Sequence, residues 1–199
     1  MRDDAHTPAH SAPTLRAFFA LEPAPPARAA AEGLVRRLRE RPGGQDVRWV
    51  RGGNLHVTLR FLGQVATERI PELVRCVAAE TRRMAPLRLR LGAVRIFPSA
   101  RRPRVVSLDV DPPARLEALA AAVERGVVAA GVPAESRRFR PHLTLGRIPP
   151  RADPPSVTAA DTAEADPFDV TELILFRSDL RPSGPRYSPL ERVPLGAEP

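Results

Sequence analysis

Two tetrapeptides in this chain share residue types, order and setting: His56-Val57-Thr58-Leu59 and His142-Leu143-Thr144-Leu145, each within an apolar, strand-like run. The chain has only 4 histidines, so half of them lie in this repeat. Side chains alternate faces along a strand, which sends His and Thr one way and the apolar pair the other. Each segment therefore offers an imidazole and a hydroxyl on one face and anchors itself by the opposite face. Two such strands lining one cleft bring together two groups that titrate near neutral pH and two hydroxyl donors. That is equipment for moving protons to and from a phosphate ester. A single strand histidine is ordinarily a packing or surface residue; it is the repetition of the whole segment that makes this pair a catalytic candidate.

The rest of the composition narrows the chemistry. His6 and His10 have no paired threonine and receive no role. Neither H-E-x-x-H nor a paired C-x-x-C occurs, so no metal and no cofactor is expected. The single Cys76 cannot form an intramolecular disulfide, which favours a reducing, cytoplasmic setting. All 31 basic residues are arginine and the formal net charge is +8, a balance that attracts polyanions. Arginine presents a planar fork of donors suited to phosphate oxygens, although the absence of lysine beside many Ala and Pro also reads as a compositional bias. Aromatic residues make up 5% of the chain, too few for an extended single-strand-binding platform. No apolar run approaches the roughly 20 residues that span a bilayer, and no membrane partner is expected. Residues 1–14 lack an apolar core of the signal-peptide kind and are expected to form a flexible tail.

The elements that must position the two motifs follow from periodicity and punctuation. Strands are expected over 16–21, 47–50, 55–62, 87–97, 105–110, 139–148, 170–178 and 187–193, the second and third joined by a hairpin-like turn at Gly52-Gly53-Asn54. Helical spacing of apolar residues marks 27–39, 68–84 and a long Ala-rich stretch from Pro112-Pro113 to about 130. Residues 99–104 read as a basic loop and 149–166 as a longer one. Hairpins outnumber βαβ crossovers, and each motif strand follows a comparable strand and helix. An α+β, bilobal domain over residues 15–196 with two mainly antiparallel sheets, an approximate internal two-fold and helices outside accounts for that order. With no oligomerisation heptad, a monomer is expected.

The motifs and their surroundings resemble the 2H phosphoesterase superfamily, and are similar in particular to the bacterial and archaeal RNA 2′,3′-cyclic phosphodiesterases. The likeness extends over residues 15–21, Trp49, 54–63, 139–147 and 173–190 with Ser178, Leu180, Gly184 and Tyr187, about residues 14–196 in all, and no motif residue departs from the pattern. It implies two lobes with the motif strands facing across a positive groove, and hydrolysis of a terminal 2′,3′-cyclic phosphate on RNA to a 2′-phosphomonoester. His56 would be the proton donor and His142 the proton acceptor, a direction that local sequence cannot supply. Thr58 and Thr144 would bind the non-bridging phosphate oxygens, and Arg147, five residues after His142, would add charge stabilisation. Implied partners are RNAs with 2′,3′-cyclic phosphate ends, tRNA fragments among them. Arg60 is a further candidate, because alternation aligns it with His56 and Thr58. Trp49 and Tyr187 fit core packing better than base stacking, and residues 99–104 fit a solvated rim better than an RNA contact. The same histidines would also serve 2′-5′ RNA ligation or the opening of small cyclic nucleotides; a non-catalytic protein that binds RNA ends is the alternative of another class.

Overall fold

The computed structural model describes residues 13–99, 101–158, 160–182 and 184–196. The expected tail of residues 1–14, with His6 and His10, lies outside these except for Pro13 and Thr14. Among the described residues, nine strands and three α-helices follow in the order β1 (Thr14–Leu21), α1 (Pro25–Arg39), β2 (Arg48–Trp49), β3 (Val57–Ala66), α2 (Ile70–Thr81), β4 (Leu87–Ser99), β5 (Arg102–Asp111), α3 (Pro113–Ala129), β6 (His142–Arg147), β7 (Phe168–Val170), β8 (Glu172–Asp179) and β9 (Arg186–Pro194). They build two sheets whose pairings are all antiparallel, one in the order β3-β1-β8-β9 and one in the order β2-β6-β5-β4-β7. This is the expected α+β architecture of two antiparallel sheets with three helices. Apart from the two-residue β2, the sheets match strand for strand: each motif strand pairs with the strand that precedes its helix, β1 for β3 and β5 for β6.

All three helices begin with proline in the first turn, where the missing N–H costs nothing. α1 buries Ala27, Ala31, Leu34, Val35 and Leu38 at helical spacing and keeps Arg36, Arg37 and Arg39 away from the core. It is tied to the five-stranded side through Arg37, which donates to the carbonyl of Thr162 at 3.3 Å, while Thr162 bridges Ala93 of β4. Arg41, just past the helix, holds Asp161 by two bonds of 2.7 Å and keeps that carboxyl well below the usual range. The long 149–166 connection is pinned there. α2 and α3 pack against each other and against β9 and β3. Their close crossing depends on Gly126, where a Cβ would stand 2.6 Å from the Cα of Val77.

Several expected boundaries move, each for a topological reason. Gly52–Asn54 is a 3-10 turn that carries the chain from the five-stranded sheet to the four-stranded one, so β2 and β3 form no hairpin. The expected strand over 170–178 splits at Thr171, with β7 in one sheet and β8 in the other. Residues 139–141 are irregular and β6 starts at His142 itself. The expected loop over 99–104 is a tight hairpin end, since β4 reaches Ser99 and β5 begins at Arg102, with Ala100 outside the described residues. No helix among the described residues is long and apolar enough to cross a membrane.

Candidate active site

Both motif strands carry the same irregularity at the same residue. In β3 the pairing with β1 runs Thr58 to Ala20 and then Arg60 to Phe19, leaving Leu59 as an extra residue. In β6 the pairing with β5 runs Thr144 to Ser107 and then Gly146 to Val106, leaving Leu145 as the extra residue. A bulge of this kind shifts the alternation by one position, so that the side chains after it change face, until in β3 a second extra residue, Leu62, shifts it back. Directly opposed residues share a face, which settles the outcome. Phe61 opposes Phe18, and Arg147 opposes Val105, so both stand on the face of their motif's His and Thr. Gly146 turns toward the core side, where a Cβ would meet Val47 at 2.6 Å and Trp49 at 3.0 Å.

The two imidazoles are held by one device. The Nδ1–H of His56 donates to the carbonyl of Asn54 at 2.7 Å, and that of His142 donates to the carbonyl of Arg140 at 2.8 Å. A carbonyl can only accept, so in each neutral ring the proton sits on Nδ1 and Nε2 is left as the reactive base. Among the described residues neither Nε2, nor the hydroxyl of Thr58 or Thr144, has a protein partner.

The surroundings of the two rings differ. His56 is half-buried with Phe18 at 4.9 Å between ring centroids and Tyr187 edge-on at 5.2 Å. Phe18 also stacks on Phe176 and touches Phe61, which makes an aromatic wall on the groove side of the four-stranded sheet. Burial pushes the pKa of His56 below its ordinary value, and the positive charges of His142 and Arg147 push it the same way, against the Asn54 bond. That like-charge effect reaches across from the second sheet: the structure brings both motif histidines and Arg147 into one electrostatic neighbourhood. Burial also raises the Tyr187 phenol, with Arg147 and Arg16 opposing. His142, by contrast, is exposed on a polar face that continues through Ser107, Asp109 and Arg95, the last two paired at 2.8 Å.

Of the expected site residues, His56, His142 and Arg147 share one electrostatic neighbourhood, and Thr58 and Thr144 each stand on the face of their own motif's histidine. Arg60 does not join them. Only 9% exposed, it lies on the opposite side of β3, where its guanidinium is engaged by Glu124 and the carbonyl of Phe61, and donates to the carbonyl of Pro133 at 2.6 Å. The Leu59 bulge is the reason, since it reverses the alternation that had aligned Arg60 with His56. Trp49 packs on the core side with its indole N–H donating to the Gly44 carbonyl at 2.9 Å, as expected of a packing residue. Tyr187 instead joins the wall around His56. Phe18 and Phe61 were not among the expected site residues; no periodic pattern marks them, because the bulge that places Phe61 leaves no signature in residue types.

Two antiparallel sheets carrying one H-x-T-x segment each, with the two histidines in one electrostatic neighbourhood, define the fold family. The family model described as the 2′-5′ RNA ligase superfamily matches residues 25–182, and the chain belongs to that family. Several curated relatives are named RNA 2′,3′-cyclic phosphodiesterase. The one from Methanothermobacter thermautotrophicus is 31% identical over 186 residues, covering 89% of this chain and 97% of the relative. Among solved structures, TT0787 of Thermus thermophilus superposes with a TM-score of 0.75 at 30% identity, covering 92% of this chain and 100% of that one. Escherichia coli LigT complexed with 3′-AMP superposes with a TM-score of 0.74 at 27% identity, covering 93% and 100%.

Proposed function

We propose that this chain hydrolyses the terminal 2′,3′-cyclic phosphate of RNA to a 2′-phosphomonoester, using its two histidines as acid and base with no metal or cofactor in any step. The observation that carries this reading is the pair of Nδ1-anchored imidazoles on matching bulged strands, joined by Arg147 in one electrostatic neighbourhood. Nε2 of neutral His142 takes a proton from water, and the water oxygen attacks phosphorus. The bond from phosphorus to the 3′-oxygen breaks, and Nε2–H of His56 protonates that oxygen, leaving phosphate on the 2′-oxygen. The Thr58 and Thr144 hydroxyls donate to the non-bridging oxygens, and Arg147 meets the charge that builds on them.

His56 must carry a proton for this role, although burial and nearby cations depress its pKa in the free chain. An anionic cyclic phosphate reverses part of that effect by setting negative charge beside the imidazolium. Substrate binding is then coupled to proton uptake. The test is incubation of an oligoribonucleotide ending in 2′,3′-cyclic phosphate, with a chelator present, followed by identification of the phosphate position. A 2′-phosphate product is expected. A 3′-phosphate product would mean that the 2′-oxygen departs, and dependence on added metal would remove the two-histidine mechanism.

A further inference from the structure

The groove side of the four-stranded sheet continues past the aromatic wall. Along β1, Arg16 shares the face of Phe18 and Ala20, and Gln64 opposes Arg16 on β3. On β8, Ser178 lies two residues beyond Phe176 on the same face and pairs with Tyr187. These three side chains line a concavity of about 320 Å³ whose wall includes Asp179 and Leu180. Two residue steps lead from Arg16 to Phe18, about 7 Å along the strand. The concavity therefore sits one step beyond the rings that touch His56.

Its chemistry is that of a donor set. Asp179 is occupied by Arg177 at 2.8 Å, so its charge is answered within the wall. Arg16 is exposed, and among the described residues it has neither an ion pair nor a hydrogen bond. Its charge reaches Tyr187, which places the guanidinium on the groove side. A guanidinium, a carboxamide N–H and a hydroxyl all donate, and a phosphodiester oxygen accepts from each of them.

The direction of the reaction says which phosphodiester. If His56 protonates the departing 3′-oxygen, the terminal ribose lies against the four-stranded sheet, and the chain 5′ to it runs along the same face toward Arg16. We propose that Arg16, Gln64 and Ser178 form a second-phosphate subsite for the phosphodiester immediately 5′ of the terminal nucleotide, which makes the chain selective for oligoribonucleotide ends over mononucleoside 2′,3′-cyclic phosphates. This inference rests on the cyclic phosphodiesterase reading above.

The readout is the ratio of kcat/KM for a dinucleotide ending in 2′,3′-cyclic phosphate to that for a mononucleoside 2′,3′-cyclic phosphate. The full chain is expected to favour the dinucleotide by about tenfold, the size of one charge-assisted contact. Arg16→Ala should bring the ratio to about one, Arg16→Lys should keep part of it, and a dinucleotide with a neutral methylphosphonate linkage should lose the advantage on the unaltered chain. A ratio of one for the unaltered chain, or a ratio that Arg16→Ala leaves in place, overturns the subsite while turnover itself leaves the phosphodiesterase reading standing. Absence of turnover on both substrates overturns that reading and the subsite with it.

Discussion

The strands β3 and β6 are near-copies in backbone and opposites in surroundings. Both hold a histidine by its Nδ1–H on the carbonyl two residues earlier, and both bulge at the leucine that closes the motif. Five residues after the histidine, however, one strand presents Phe61, 54% exposed, and the other presents Arg147. His56 sits against aromatic rings, whereas His142 is exposed beside Ser107 and Asp109. Duplicated backbone geometry supplies two equivalent nitrogens, and the side chains around them are unequal. In the mechanism proposed above, that inequality is what would assign acid and base to different rings.

Removing either histidine should cause the largest loss. On cyclic-phosphate RNA, His56→Ala and His142→Ala are each expected to lower kcat by about 10²- to 10⁴-fold, the usual span for one general acid or base. The double variant should lose less than the product of the two, because each acts only when the other is in place. Measured single-turnover rates that multiply would show two independent contributions and break the pairing.

Arg147→Ala follows, with an expected loss of about 10²- to 10³-fold in kcat, as for removal of one transition-state donor. The same substitution removes a cation that disfavours the His56 imidazolium. An NMR titration of His56 should therefore move upward in the variant. Phe61→Ala has no such electrostatic action, and its cost should fall on KM. A His56 titration that ignores Arg147 would show that the lobes do not meet as described.

Arg60→Ala separates the groove face from the core face of the same strand. It removes the Arg60 contact from Glu124, which keeps the Glu135 N–H, and from the Pro133 carbonyl, and should destabilise folding by about 1–3 kcal/mol in a denaturant titration. The shape of the activity–pH profile of the remaining folded protein should not change. A shifted profile would put Arg60 in the site after all.

The smallest effect is a pH dependence of stability. The folded pKa of His56 lies below its ordinary value of 6.5, so the native state favours the neutral ring. Above about pH 6.5 both native and unfolded chains hold it neutral, and it adds no slope. As pH falls through that value the unfolded chain takes up a proton that the native chain refuses, and stability drops until the folded pKa is passed. Thermal melts from pH 7.5 to 5 should show this decline, and His56→Gln should flatten it.

Much of this could be read from residue types alone. The motif strands, the shared face of His and Thr, the amphipathic α1 and the antiparallel α+β plan follow from periodicity, because each has a repeating apolar side that must be buried. The bulges were not legible. Leu59 and Leu145 are ordinary strand residues, and only the register with β1 and β5 shows that each is unpaired. Alternation read without them puts Arg60 in the groove and Phe61 in the core, the reverse of what is observed. The split of β7 from β8 was hidden in the same way, since the apolar run continues across Thr171 while its partners change sheet.

The division of labour between the two rings can be measured with a substrate whose 3′-bridging oxygen is replaced by sulfur. A thiolate leaves without a proton donor, so the general acid becomes dispensable and the general base does not. If His56 is the donor, His56→Ala should turn over the 3′-thio cyclic phosphate at close to the rate of the unaltered chain, while His142→Ala remains as impaired as on the oxygen substrate. Rescue of His142→Ala with none for His56→Ala would contradict that assignment.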